Sequence, residues 1–234
     1  MNKTILNHKY IEQEITTNDK KSDVRYRWSH GATDKHMGDG IIVYSMMSFF
    51  KPTISVCLGS GGGYIPRIMW KCVSDLNEEG FNTDDSRVIL VDAVNGVNGH
   101  PDWTDEDSFY RNNFLSEWLH TTTEEAYYEY FVKRDMKIDL LWIDADHTLK
   151  GVKKDFELYS EMMSDKGIIM IHDTDEKYVN NFIETKEHED YDLSGPSEFI
   201  KTLDSDKFEI LNLFNYGIEK DFPSSTGITI VRKK

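Results

Sequence analysis

The sequence predicts an α/β fold: a mostly parallel, doubly wound sheet of seven strands with helices on both faces. Three observations carry that expectation. Short apolar, β-rich runs alternate with helical stretches, and such alternation means parallel strands joined by crossover helices. Right-handed crossovers place ligands at the carboxyl ends of the strands. The unusual polar residues fall at those ends: the glycines at 59 to 63, Asp92, Asp144 to His147, and His172-Asp173. Four coincidences of this kind weigh more than any single motif.

Residues 1 to about 24 are polar and lack apolar periodicity, as expected of a loosely held arm or lid. Residues 41–50, IIVYSMMSFF, are apolar on most faces and read as a buried helix that stops ahead of Pro52. Ile54 to Leu58 is the first strand and runs into the glycine cluster. The helix after it tolerates Pro66 in its first turn and sets Ile65, Ile68, Met69 and Cys72 on one side. Arg87 to Val91 is the second strand, ending at Asp92. Residues 93–113 read as a long surface loop, Phe114 to His120 as a third strand, and Thr123 to Lys133 as a helix. Ile138 to Ile143 is the fourth strand, ending at Asp144. Behind it, Val152, Phe156, Tyr159 and Met163 recur at three or four residues and so share one helix face. Lys153, Lys154 and Glu157 lie off that stripe, and Asp155 is expected in solvent. Asp165-Lys166-Gly167 turns the chain into a fifth strand, Ile168 to Ile171, which ends at His172-Asp173. Ser194 to Leu203 makes a short helix, and Phe208 to Phe214 and Ile228 to Val231 are the last strands. The whole is Rossmann-like.

The chain has 27 basic and 42 acidic residues, a formal charge of −15. A field of that sign opposes nucleic acid and anionic membranes as partners and leaves small molecules. No apolar run approaches the roughly 18 residues of a membrane span. No secretory signal is read in the polar N-terminus. Cys57 and Cys72 are the only cysteines and look like reduced core thiols. A cytoplasmic protein is expected; the polar arm permits a homodimer without requiring one.

A glycine-rich turn between a first strand and a first helix lets backbone approach a ligand. Gly59, Gly61 and Gly63 alternate here. A dinucleotide turn would place a further glycine where Tyr64 stands. The spacing fits better the shorter turn of enzymes that bind S-adenosylmethionine (SAM). Asp92, at the end of the second strand, is placed to accept hydrogen bonds from ribose hydroxyls, although the same residue could simply cap a helix. Thr121, after the third strand, is a candidate adenine contact or a helix cap. At the fourth and fifth strand ends, Asp144, His172 and Asp173 are candidate metal ligands, because their strands are neighbours. His147 is a candidate general base, since imidazole titrates in the right range.

The run Ile143-Asp144-Ala145-Asp146-His147-Thr148 through Asp155, closed by Ile171-His172-Asp173, resembles class I SAM-dependent methyltransferases. The nearest group includes many sugar and natural-product O-methyltransferases, or methyltransferase family 24. Thr33-Asp34-Lys35-His36 is similar to an element that precedes the core in some members. The resemblance spans roughly residues 30 to 175. It implies SAM as cofactor and a divalent metal, magnesium or manganese, on Asp144, His172 and Asp173. It further implies Asp144 and His147 as the catalytic pair and a small hydroxylated acceptor, with a sugar or sugar-linked metabolite as one class. Two positions depart from the pattern. Cys57 stands where an acid often precedes the glycine turn, and His172 stands where metal-dependent relatives often carry an acid. Imidazole there points to a softer metal, an outer role, or no metal.

The division expected is 1–50 as arm or lid with a helix, and 51–234 as the SAM-binding methyltransferase domain. Two other functions remain open on these residues: a non-catalytic SAM- or nucleotide-binding protein of the same fold, and a nicotinamide-dependent oxidoreductase, which Tyr64 disfavours. Trp28, His30, His100, Trp103 and Tyr178 are candidates to line an acceptor pocket.

Overall fold

A computed structural model of the chain describes residue 30 and residues 37–59, 63–81, 85–93, 117–177, 194–214 and 225–234. Seven strands form one sheet: β1 Ile54–Leu58, β2 Arg87–Val91, β3 Glu117–Leu119, β4 Ile138–Ile143, β5 Met163–His172, β6 Phe208–Leu213 and β7 Ile228–Lys233. Their order is β3-β2-β1-β4-β5-β7-β6. The pairs from β3 through β5 are parallel, and β7 runs antiparallel to both β5 and β6. The order reverses between β1 and β4, so a crevice opens beyond the ends of those two strands. The backbone N–H of Asp144 donates to the Leu58 carbonyl at 2.9 Å and ties the two ends together.

Alternate residues of the strands face opposite sides. On one side, Cys57, Leu90, Leu140, Trp142 and Met170 pack with α1 (Asp39–Phe50) and α2 (Tyr64–Glu78). On the other, Val56, Leu58, Ile89, Leu141, Ile143 and Ile171 pack with α3 (Thr123–Ala126 and the turns that continue it to Arg134), α4 (Leu149–Ser160) and α5 (Gly195–Ile200). Both faces are covered, which is why the strands read as unbroken apolar runs. The described residues include no helix long and apolar enough to cross a membrane. Cys57 and Cys72 are buried and free.

Five local expectations change. First, α1 is only partly buried: Val43 and Met47 enter the core, but Ile41, Phe49 and Phe50 are exposed, because among the described residues nothing covers that side. Second, α3 is not one regular helix; Thr123–Ala126 widens into a π turn, Tyr127–Phe131, and tightens into a 3₁₀ turn, Val132–Arg134. Third, α4 stops at Ser160, and Met163 opens β5 instead of closing the helical stripe. Fourth, β5 begins five residues early. Ile138 pairs with Met163 and Leu140 with Ile168, so the expected turn at 165–167 is a bulge within the strand. The Ser164 hydroxyl donates to Asp139 Oδ1 at 2.6 Å, while Asp139 Oδ2 accepts from the N–H groups of Thr53 and Ile54, which anchors the bulge to the start of β1. Fifth, Asp155 is buried, not solvated. It accepts a 2.5 Å hydrogen bond from Thr123 Oγ1, its other oxygen has no hydrogen-bond partner, and burial pushes its pKa up to about 6.

Candidate active site

At the β1 end the chain turns at Gly59, φ +77°. A side chain there is excluded twice, by that left-handed backbone and by the Asp144 carbonyl, which would lie 2.1 Å from a Cβ. Gly63, φ +78°, precedes α2; Gly61 lies outside the described residues, as do Thr33 to His36. Tyr64 is fully buried, and its hydroxyl donates to the Met37 carbonyl. Asp92 follows β2 half-buried, with its N–H donating to the Leu119 carbonyl at 3.1 Å. Burial raises the Cys57 thiol pKa well above its usual value, and the charges of Asp144 and Asp92 raise it further. Thr121 sits just beyond β3 and gives its hydroxyl to Glu125, while Thr122 caps α3.

The β4 end is shaped by small contacts. Asp146 Oδ1 accepts from the Thr148 N–H at 3.0 Å, and Thr148 caps α4 by accepting from the Gly151 N–H at 3.0 Å. Gly195, at the start of α5, donates its N–H to the His147 carbonyl at 3.0 Å. A Cβ on Gly195 would lie 2.3 Å from that carbonyl and from the Leu149 nitrogen. The loop that carries His147 is therefore held from both sides.

His147 Nε2 stands 3.1 Å from Asp144 Oδ1 and 2.8 Å from Asp173 Oδ2. Burial opposes a charged imidazole, but the hydrogen bonds to Asp144 and Asp173 outweigh it and raise the pKa to about 10. His172 is buried, with Nδ1 3.1 Å from Asp144 Oδ1 and 3.3 Å from Asp173 Oδ1. Its pKa is also raised: burial acts against the charge, and the Asp173 and Asp144 carboxylates overcome it. Asp144 is held well below the usual carboxylate range, against the effect of burial, by the His172 and His147 imidazoles. Asp173 has φ +57°, a strained conformation for a non-glycine residue. Its Oδ1 accepts from the Thr226 hydroxyl.

The expected set Asp144, His147, His172 and Asp173 thus comes together in one cluster, with His172 and Asp173 buried and Asp144 and His147 half-buried. Its chemistry can attract a cation: carboxylates and imidazoles of His30, Asp144 and His172, and of Asp144, His147 and Asp173, bring possible ligand atoms within 4.8 Å of one another. Two members were not legible in the sequence as part of it. Asp39, the first residue of α1, lies 3.3 Å from His172 Nε2, and Thr226 precedes β7. Neither sits at the carboxyl end of a parallel strand, so no positional rule marks it. His30, expected only as a pocket-lining ring, packs 4.3 Å from the His172 ring.

The sheet order, the reversal at β1 and β4, and the acids at the strand ends define the class that the sequence resembles, the class I SAM-dependent methyltransferases. A family profile described as "Methyltransferase domain" matches residues 56–174, half of the chain, and the chain belongs to that family. Among solved structures, the chain is similar to an O-methyltransferase from Bacillus cereus in complex with SAH (14% identity, 97% of this chain and 96% of that one, TM-score 0.62). It is also similar to the O-methyltransferase TomG from Streptomyces achromogenes, involved in tomaymycin synthesis and solved with SAM (9% identity, 92% and 91%, TM-score 0.60). At these identities the likeness is one of fold. No curated protein sequence matches the chain.

Proposed function

We propose that the chain transfers the methyl group of SAM to a hydroxyl of a small acceptor, with a sugar or sugar-linked metabolite as the class that the sequence resemblance favours. The observation that carries this is the pinning of His147 between Asp144 and Asp173 at the same switch point that Gly59 opens. The two neighbouring structures described as O-methyltransferases, with SAH and SAM, support the cofactor and the oxygen acceptor. The residues present fit SAM. The glycine turn brings backbone to the crevice, and the half-buried Asp92 offers an acceptor for ribose hydroxyls. They also fit a divalent ion at Asp144, His172 and Asp173, since these donors already meet around His172 Nδ1.

The reaction is a displacement at the sulfonium methyl. The acceptor oxygen forms a bond to the methyl carbon, the carbon–sulfur bond breaks, and its electron pair stays on sulfur in S-adenosylhomocysteine. The hydroxyl proton goes to the ring nitrogen of His147 that the carboxylates leave free, while Nε2–H, between Asp144 and Asp173, fixes the ring and favours the imidazolium formed. Positioning supplies much of the rate, so the contact of Gly195 with the His147 carbonyl belongs to the machinery. A bound divalent ion would lower the hydroxyl pKa and offset the carboxylate charge that keeps His147 protonated. The field of a chain with charge −15 repels nucleic acid and favours a small acceptor.

The test is transfer of labelled methyl from SAM to a panel of hydroxylated sugars and phenols, with and without manganese. Label appearing as an alkali-stable ether supports the reading. With amines added to the panel, label found only on nitrogen would overturn the oxygen acceptor, and no label with any acceptor despite bound SAM would leave a SAM-binding protein.

A further inference from the structure

His172 and His30 present their rings to the same two carboxylates in the same manner. His172 turns Nδ1 to Asp144 Oδ1 at 3.1 Å and Nε2 to Asp39 Oδ2 at 3.3 Å. His30 turns Nε2 toward Asp144 Oδ2 at 3.9 Å and Nδ1 toward Asp39 Oδ2 at 3.7 Å. His30, Asp39 and His172 are exposed by only 5%, 4% and 2%. Two atoms of this group, His30 Nδ1 and Asp39 Oδ2, are buried without a well-formed hydrogen bond. Ionisable groups so deeply buried are costly unless something pairs them.

We propose that His30 is a metal ligand: with Asp144 and His172, whose ligand atoms lie within 4.8 Å of its own, it offers two imidazoles and a carboxylate to one first-row transition ion such as zinc, manganese, iron or cobalt, and Asp39 is the outer carboxylate that orients both rings. This rests on the reading that a divalent ion enters the site.

Metal-bound imidazoles commonly donate their other N–H to a carboxylate, which fixes the tautomer. Here one carboxylate, Asp39, faces the far nitrogen of both rings, and Asp144 faces the near nitrogen of both. With the protons on the Asp39 side, the two lone pairs point at Asp144. Neighbouring ligand atoms on a tetrahedral ion with bonds of roughly 2.0–2.1 Å lie about 3.3 Å apart. His172 Nδ1 already has that spacing to Asp144, at 3.1 Å. His30 Nε2, 3.9 Å from Asp144, needs only a short inward shift. Magnesium prefers oxygen ligands, and two imidazoles beside one carboxylate suit a softer ion. His147 is left to the acceptor, with Asp173 Oδ2 as its partner. The His30 backbone is itself anchored: its carbonyl accepts from the Asp39 N–H at 2.7 Å, and it bridges to Ser225. Binding of the ion would therefore tie the start of α1 and the approach to β7 to the ends of β4 and β5.

The metal-stripped protein is titrated with cobalt(II), zinc, manganese and magnesium, by visible absorption and calorimetry. One equivalent of zinc or cobalt is expected at least tenfold tighter than magnesium. His30→Ala should weaken zinc at least tenfold, and Asp39→Asn by about 10- to 100-fold with unchanged stoichiometry. Because His30→Ala could also loosen the bridge to Ser225, a second measurement uses the intact His30. Copper(II) bound to a His147→Gln chain should give pulsed-EPR nitrogen couplings from two imidazoles. A single imidazole, zinc binding by His30→Ala as tight as wild type, or no ion bound at all overturns the proposal. SAM is titrated separately. SAM binding without metal would leave the methyl-transfer reading standing and remove this one; metal binding without SAM would do the reverse.

Discussion

The two halves of the sheet end very differently. Beyond β1 and β2 the described residues offer glycine backbone and the half-buried carboxylate of Asp92. Beyond β4 and β5 it concentrates carboxylates and imidazoles, Asp144, His147, His172 and Asp173, joined by His30 and Asp39 from earlier in the chain. One end can bind with little charge of its own. The other holds its groups in charged states far from their ordinary pKa values, which is the mark of a place where a proton or a cation is handled. Binding and chemistry are thus expected to separate along the line between β1 and β4.

The sharpest way to break that separation is His147→Ala. Turnover should fall by about 10²- to 10⁴-fold while SAM affinity stays within about twofold; steady-state kinetics beside calorimetry reads both. A loss of SAM affinity equal to the loss of turnover would merge the two halves.

Asp155→Asn probes a buried carboxylate outside the cluster and offers a contrast. Asp155 has a folded pKa of about 6 against 3.8 unfolded. The folded state therefore holds its proton longer, and stability falls as pH rises from about 4 to about 6. The cost above pH 6 is about 3 kcal/mol. The asparagine variant should match wild type near pH 4 and exceed it by up to that amount at pH 7 to 8, as read by urea unfolding. An equal gain at both pH values would mean that charge is not the cause.

Asp92→Ala should weaken SAM by about tenfold or more, the worth of hydrogen bonds to a charged acceptor, with kcat little changed. Gly195→Ala should do the opposite in a milder form: its Cβ would meet the His147 carbonyl at 2.3 Å, and the loop must shift. A fall of about tenfold in kcat with SAM affinity retained is expected for a small misplacement of the base.

Much of this contrast was legible in the residues. A strand followed by a polar residue is a local signal, so Gly59, Asp92, Asp144 and His172 could be placed before any coordinates. Other features depend on pairing across the chain. Tyr159 to Met163 continues a helical period, yet Met163 is taken by Ile138 and the Ser164–Asp139 hydrogen bond, and pairing prevails over periodicity. Asp155 lies three residues from Val152 and four from Tyr159, on a buried face one position wider than the apolar stripe. Asp39, Thr226 and the role of His30 come from segments that only the folded chain brings to His172. The glycine at 61 and the Thr33 to His36 element lie outside the described residues.

The most direct measurement is calorimetric titration of the folded chain with SAM, beside an identical titration with NADH. One SAM site, weakened by Asp92→Ala, is expected, with no response to NADH. A folded chain that binds NADH, or that binds no SAM, would contradict this expectation.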